Sequence, residues 1–147
     1  MAVTAAVTLL AACGGGSSSR LSKPEYVRRA DAICGQANKK AGAVPAPDQH
    51  EPTAQEKAIG EIIVIQRAAV VDLRHLAPPE ADTATLGKWL GLVSQTVDQM
   101  QAVRTALKAG DSAGVTAANA KGRALNDQAD EIARGYGLKQ CSASAGA

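Results

Sequence analysis

Apolar side chains recur every three or four residues in four stretches of this 147-residue chain. Such spacing places them on one face of an amphipathic helix. The stretches are residues 22–42, 53–76, 82–109 and 111–136. The run Ile62–Ile65 alone would also fit a buried strand, but the helical pattern continues well beyond it. The pattern therefore predicts four helices and no strand.

Polar residues at the start of these stretches provide the expected caps. Ser22 with Glu25, and Thr53 with Glu56, have the spacing of a capping box, in which two side chains bind the first free backbone N–H groups. Asp82 is a plausible N-cap for the third helix. We therefore expect helix starts close to these positions.

The fourth predicted helix carries signals at both ends. Asp111 or Ser112 can cap its start. At its end, Gly137 fits the left-handed position of a Schellman motif and Leu138 fits the apolar position after it. These residues predict a chain reversal directly after Tyr136.

Short connections between the four helices favour an all-α fold, an antiparallel up-down four-helix bundle. In that arrangement the loops at 42–53 and 109–112 lie at one end of the bundle. The loop at 77–82 and the C-terminus lie at the other end, with Tyr26, Trp89 and Tyr136 in the same half.

The composition agrees with closely packed helices. The chain has 46% hydrophobic residues, of which 31 are Ala and none is Phe, and only one Trp and two Tyr. Ala favours helices, whereas sheets draw on β-branched and aromatic residues. The length suits one domain. The net charge is only +2, and the sequence has no basic stripe with interleaved aromatic residues of the kind that nucleic-acid binders carry. We therefore expect no nucleic-acid partner.

The N-terminus has the pattern of an export signal. Residues 2–12 are uncharged and mostly apolar, and they are too few to span a bilayer. The following Leu10-Ala11-Ala12-Cys13 resembles the lipobox of bacterial lipoproteins, in which the Cys is diacylated and the signal is cleaved before it. This resemblance implies lipidation at Cys13. No Lys or Arg precedes Arg20, a departure from such signals that a start upstream of Met1 would explain.

Residues 14–19 are three Gly and three Ser, a flexible tether with a reach of roughly 13 Å. We therefore predict a signal peptide at 1–12, a lipid-anchored tether at 13–21, a helical domain at 22–141 and a disordered tail at 142–147. The expected location is the extracytoplasmic face of the cell membrane, to which the lipid anchor binds the protein.

The two remaining cysteines, Cys34 and Cys141, form an even pair in a chain that we expect to be exported, which favours one disulfide. A metal site or a redox pair is the alternative. Neither has support, because the chain has no C-x-x-C motif and no His near either Cys. The bridge would close a loop of about 108 residues.

Several short motifs resemble a group of small exported actinobacterial proteins. The motifs are Ser-Lys-x-Glu-Tyr at 22–26, Ala-Asp-Ala-Ile-Cys at 30–34, and Tyr-Gly-Leu at 136–138 shortly before Cys141. The members are uncharacterised, commonly lipoproteins, and built from helices with a Cys at each end. The resemblance implies the same bundle and bridge, and it carries no catalytic residue.

Motifs for catalysis or cofactor binding are missing from the sequence. There is no Glu-x-x-His pair, haem signature, phosphate-binding loop or nucleophile elbow. The two histidines, His50 and His75, have no ligand partner one turn away. Asp127 and Asp130 each lie four residues from an Arg, a spacing typical of a solvated face. We therefore expect a protein that is not an enzyme and has no metal or cofactor.

Four residues are candidates for ligand binding. Arg104 occupies a position where the third helix should be apolar, and Asn119 and Asn126 flank the apolar stripe of the fourth. Together with Trp89 they could line a pocket for a small polar or anionic ligand. The alternatives are a solvent-reaching Arg, satisfied hydrogen bonds between helices and an aromatic core residue.

Two functions remain open at this point. The first is a lipid-anchored envelope protein of non-enzymatic role, an interaction or scaffold module that presents the Pro-rich loop around His50 to an envelope protein partner. The second is a small-ligand binding or sensing lipoprotein with a pocket between its helices. A cavity of roughly 300 Å³ or more lined by Trp89 and Arg104 would favour the second.

Overall fold

A computed structural model describes residues 20–48 and 50–142. Over these residues it contains four α helices and no strand. The helices are α1 (Lys23–Gly42), α2 (Pro52–Arg74), α3 (Thr83–Ala109) and α4 (Ser112–Tyr136), with a short 3-10 turn at Glu80–Asp82. The predicted signal peptide, Cys13 and the tail beyond residue 142 lie outside the described residues, as does the tether up to residue 19.

The helices form the predicted antiparallel bundle, because each packs against the next along the chain. No Cα atom of α1 comes within 8 Å of α4, whereas α3 and α4 pack along their length. The C-terminal segment, residues 138–142, follows α4 and lies against α1. The fold is therefore a four-helix bundle in which the seam between α1 and α4 is the widest, and side chains such as Tyr26 and Tyr136 meet across it.

Hydrogen bonds and a disulfide attach the C-terminal segment to α1. The Asp31 carboxylate accepts hydrogen bonds from the backbone N–H groups of Lys139 and Gln140, at 3.1 and 2.8 Å. Cys34 and Cys141 form the predicted disulfide across 107 residues of sequence. The bridge and these hydrogen bonds therefore hold the C-terminal segment beside α1 in this wider seam.

The predicted ends of α4 are confirmed. The Asp111 carboxylate accepts a hydrogen bond from the Gly114 N–H at 2.8 Å, which caps the start. Gly137 has a φ of 100°, and the Leu138 N–H donates to the Ala133 carbonyl at 2.8 Å, as in a Schellman motif. Leu138 is fully buried, so the reversal directs the C-terminal segment back onto the core.

The predicted capping boxes are wrong in detail. Ser22 is the N-cap of α1, but its side chain makes no capping bond, and Glu25 instead accepts hydrogen bonds from Arg28 and Arg29. The N-cap of α2 is Glu51 rather than Thr53. In both helices a Glu pairs with Arg, since a guanidinium makes a stronger, charge-assisted bond than a backbone N–H does.

An aromatic cluster closes the end of the bundle that holds the 77–82 loop. Tyr26 and Tyr136 meet edge to face with ring centroids 6.0 Å apart. The Tyr136 hydroxyl donates to the Asp82 carboxylate at 2.7 Å, so Asp82 binds this hydroxyl and makes no capping bond to α3. Trp89 packs in the same core cluster, which confirms that the three aromatics share one half of the bundle.

Candidate functional site

A cavity of about 310 Å³ lies between the helices beyond this aromatic end. All four helices and the C-terminal segment contribute to its wall. Most of the wall surface is apolar, and it includes Ala37, Ala69 and Ala129, where a larger side chain would occupy the space. The remaining lining residues are Cys34, Asn38, Ile62, Gln66, Val70, Leu73, Trp89, Val93, Thr96, Val97, Met100, Asn126, Asp130, Gln140 and Cys141.

The cavity follows from the composition of the facing stripes. Ala lies at core positions of three helices, and the chain has no Phe to fill the space between them. The separation of α1 from α4 adds width on one side. Native interiors leave few voids larger than a water molecule, so a cavity of this size is a feature to be explained.

Trp89 lines this cavity and carries a buried hydrogen-bond donor. Its side chain is 1% exposed, and its Nε1 has no hydrogen-bond partner among the described residues. An indole N–H can only donate, and a buried one usually finds an acceptor. A ligand with an acceptor atom would satisfy this group.

Asp130 supplies the acidic group of the cavity. It is 6% exposed and is the only buried charged side chain within residues 20–48 and 50–142. Its Oδ2 accepts a hydrogen bond from Asn126 Nδ2 at 3.2 Å, and Asn126 lines the same cavity. None of the described lining residues is Lys, Arg or His. The wall therefore combines aliphatic surface with one carboxylate.

The burial of Asp130 corrects the prediction of a solvated pair with Arg134. α4 presents Asn126, Ala129, Asp130 and Ala133 on one side, and that side faces the bundle. The sequence contained a signal for this burial. Asn126 lies beside the apolar stripe of α4, and Asp130 follows it one turn later on the same face.

The C-terminal segment forms part of the cavity wall. Gln140 and Cys141 both line it. The Gln140 backbone is fixed from two sides, because its N–H donates to Asp31 and its carbonyl accepts from Asn38 Nδ2 at 2.9 Å. The disulfide therefore forms part of the cavity wall and also links α1 covalently to the C-terminal segment.

Arg104 does not belong to this cavity, contrary to the sequence prediction. Its guanidinium binds the Glu56 carboxylate, which Lys108 also approaches to 3.2 Å. These charges hold the pKa of Glu56 below its usual value, mainly through the hydrogen bond from Arg104. Gly60 makes room for the guanidinium, since a Cβ there would lie 3.2 Å from Arg104 Cζ. A glycine and a carboxylate on α2 therefore explain the charged residue at an apolar position.

The two predicted asparagines divide between two pockets. Asn119 is exposed and lines a more open pocket of about 450 Å³ between α3 and α4. Asn126 lines both this outer pocket and the inner cavity, as do Thr96 and Met100. Three side chains thus separate the inner cavity from the outer pocket. Of the four predicted residues, the structure brings Trp89 and Asn126 together in the inner cavity.

The loop around His50 lies at the opposite end from the aromatic cluster. His50 is exposed, and its N–H donates to the Asp48 carboxylate at 2.8 Å. This loop is accessible to a partner, and its role in an interaction stays a prediction.

Two further features are absent from residues 20–48 and 50–142. No group of three or more His, Cys, Asp and Glu side chains could hold a metal ion there. Among the same residues, no helix has the length and hydropathy required to cross a bilayer.

No protein-family model, curated protein or solved structure matches this chain. The case for a function therefore depends on the geometry of the cavity.

Proposed function

We propose that this protein is a lipid-anchored binding protein of the cell envelope that holds a small organic ligand in the cavity between its helices. The observation that carries the proposal is a cavity of about 310 Å³ lined by Trp89, whose buried Nε1 has no hydrogen-bond partner among the described residues. The role is non-enzymatic, and it corresponds to the second of the two functions considered from the sequence.

The energetics of the indole favour a bound ligand. Leaving a buried donor unsatisfied costs about 1–3 kcal/mol. A ligand that brings an acceptor to Trp89 recovers this cost and adds the burial of its own apolar surface. Ligand pockets with volumes of about 300–1,000 Å³ are typically apolar with few polar groups, as this one is.

The proposed location depends on the N-terminal sequence. Cleavage before Cys13 and acylation of that residue would anchor the chain on the outer face of the membrane. The six-residue Gly/Ser segment would then keep the bundle within roughly 13 Å of the lipid. Two or three acyl chains suffice for stable anchoring, whereas one gives only marginal binding.

Docking of an envelope protein to the Pro-rich loop is the weaker proposal. The pocket beside that loop is about 190 Å³ in volume, and the only His in the loop is exposed. The inner cavity offers a more specific arrangement, because it is large enough for a ligand and is lined by Trp89, whose indole N–H has no partner among the described residues.

Mass spectrometry of the protein extracted from its native membrane tests both parts. The intact mass should show a diacylglyceryl group on a chain that begins at Cys13. Native spectra should show a further small mass that is lost on unfolding. A matched Ala129→Leu variant, which narrows the cavity, should keep the lipid and lose that small mass. An unacylated chain overturns the anchor, and a native mass equal to that of the acylated chain alone overturns the binding function.

A further inference from the structure

Basic side chains are concentrated on α1 and on the C-terminal segment. Residues 20–42 and 138–142 together carry seven basic and two acidic side chains, whereas the rest of the chain carries nine basic and twelve acidic ones. The C-terminal segment is attached to α1 by the disulfide and by the hydrogen bonds to Asp31. Positive charge therefore collects along one side of the bundle, and such an asymmetry favours a negatively charged partner on that side.

The cations near the start of α1 already have partners. Arg20 donates hydrogen bonds to the 77–82 loop and to the start of α3, and the Lys23 ammonium lies over an aromatic ring of α4. Arg28 and Arg29 both bind the Glu25 carboxylate. These last three side chains together leave one surplus positive charge at the surface.

The far end of α1 carries positive charge without an acidic partner. Lys39 and Lys40 are exposed, as is Lys139 in the C-terminal segment, and none of the three forms an ion pair with another described residue. At helical spacing, Lys39 and Lys40 follow Arg28 and Arg29 along the outward side of α1, and the exposed residues between the two pairs are uncharged. These two lysines and two arginines form the basic face of α1.

We infer that the basic face of α1 lies on the surface of an anionic membrane. This inference rests on the proposed lipid anchor and goes beyond the ligand-binding role. The face has no aromatic residue on which bases could stack, which favours lipid headgroups over a nucleic acid. The anchor supplies the second argument, because it would join the chain to the bilayer just before α1.

The tether determines which orientation brings the basic face to the lipid. Its six residues have a reach of roughly 13 Å, which allows the bundle to lie on its side. Between Lys23 and Lys39, α1 rises by about 24 Å. An upright bundle would therefore hold Lys39 and Lys40 beyond the screening length of roughly 8–10 Å, whereas a bundle on its side brings all four cations close to the headgroups.

Vesicle binding of the unacylated chain tests the charge of this face. The full chain with Cys13→Ser, which lacks the thiol for acylation, is mixed with vesicles of phosphatidylcholine alone or with phosphatidylglycerol at about three to one. Binding to the neutral vesicles accounts for the apolar residues 2–12. We expect binding to the anionic vesicles to be at least about 10-fold tighter at about 0.05 M salt, and this preference to be lost at about 0.5 M salt.

Two double variants separate the basic face from net charge. Lys39→Gln with Lys40→Gln should weaken binding to the anionic vesicles by about 10-fold or more, since each basic residue near such a surface contributes about 5-fold. Lys88→Gln with Lys121→Gln removes the same charge from exposed positions on α3 and α4, which have no Cα atom within 8 Å of α1. This matched control should weaken binding by less than about 2-fold. Circular dichroism and the thermal midpoint show whether each variant is folded.

Lysine acetylation measures the orientation of the acylated chain without any substitution. The protein is purified with its lipid, inserted into the same two kinds of vesicle and treated briefly with acetic anhydride, and modified peptides are quantified by mass spectrometry. Lys39 and Lys40 should react about 5-fold more slowly on the anionic vesicles than on the neutral ones. Lys88 and Lys121 should react equally on both.

Three results would overturn the inference and leave the ligand-binding proposal intact. The first is equal binding of the Cys13→Ser chain to the two kinds of vesicle. The second is an equal loss of binding in the two double variants, or equal acetylation of Lys39 and Lys40 on both vesicles. The third is binding of soluble polyphosphate that the Lys39 and Lys40 changes weaken, without a preference for anionic vesicles, which would assign the face to a soluble polyanion. The anchor is judged separately, by the diacylglyceryl mass on Cys13.

Discussion

Filling the cavity from α4 should stabilise the protein, whereas the same change one turn along the helix should destabilise it. Ala129 and Ala133 are both buried, at 3% and 0% exposure, and both lie in α4. Ala129 lines the inner cavity, whereas Ala133 does not. Substituting Leu at each position therefore compares free space with packed core at equal helix propensity.

The expected difference follows from the carbon atoms added. Leu adds three carbons to Ala, and burying a methylene is worth about 0.8 kcal/mol, so complete accommodation would contribute about 2 kcal/mol. With some loss of side-chain freedom, Ala129→Leu should raise the free energy of unfolding by about 1 kcal/mol. At Ala133 the added atoms have no space, and overpacking should lower that free energy by about 1–3 kcal/mol.

Urea unfolding followed by circular dichroism measures both values, with the slope of the transition checked against that of the unaltered chain. Because Trp89 is the only Trp in the chain and lines the cavity, its fluorescence should also change more in Ala129→Leu than in Ala133→Leu. Equal loss of stability in the two variants would refute the reasoning, since it would mean that the space beside Ala129 is not available to a side chain.

Three further predictions concern the disulfide and the titrating groups. The double variant C34S/C141S should lose about 4–5 kcal/mol of unfolding free energy, because the bridge closes a loop of about 108 residues; a loss below about 1 kcal/mol in urea would contradict this. Hydrogen bonds from two arginines lower the Glu25 pKa from 4.5 to about 2, so the stability that this carboxylate contributes is present above pH 4.5 and is lost as the pH falls towards 2; an NMR titration midpoint near 4.5 would refute it. Burial raises the pKa of Tyr26 to about 12, and burial together with the Asp82 contact raises the pKa of Tyr136. The folded chain should therefore form little tyrosinate at pH 11, and its free energy of unfolding should fall as the pH rises above 10. Tyrosinate absorbance that develops with a midpoint of 10 in the folded state would be the contrary result.

The architecture could be predicted from the sequence because its signals are local. The helical spacing of apolar residues, the Asp111 cap and the Gly137 reversal each act within a few residues of their position. The disulfide between Cys34 and Cys141 was predictable for a different reason, since Cys34 and Cys141 are the pair that remains once Cys13 is assigned to the predicted lipid anchor.

The capping boxes failed because their side chains had stronger partners. Glu25 has two arginines within one turn of its own helix, and Glu56 meets Arg104 from another helix. The first competition is visible in the sequence, because Arg28 and Arg29 follow Glu25 at favourable spacing. The second depends on which helices are neighbours, and spacing within one helix does not contain that information.

Two of the four predicted site residues line the cavity, whereas the cavity itself depends on how far apart the helices lie. Asn126 was identified from its position beside the apolar stripe of α4, and Trp89 as an aromatic residue that could line a pocket with it; both line the cavity. Asp130 was assigned to the solvated face because an Arg lies four residues away, although the bundle side of α4 runs through it. The cavity itself arises from small residues on different helices and from the separation of α1 and α4, which no single stretch of sequence specifies.

The indole N–H of Trp89 offers the most direct measurement, because it is the only indole in the chain and its buried Nε1 has no partner within residues 20–48 and 50–142. NMR spectra would compare isotopically labelled protein isolated under native conditions with the same sample after unfolding, removal of small molecules and refolding. A bound ligand predicts an indole signal that is protected from exchange and shifted downfield in the first sample, and that changes position and loses protection in the second. Identical indole signals in the two samples, with no small molecule released between them, would contradict the proposal that this cavity binds a ligand.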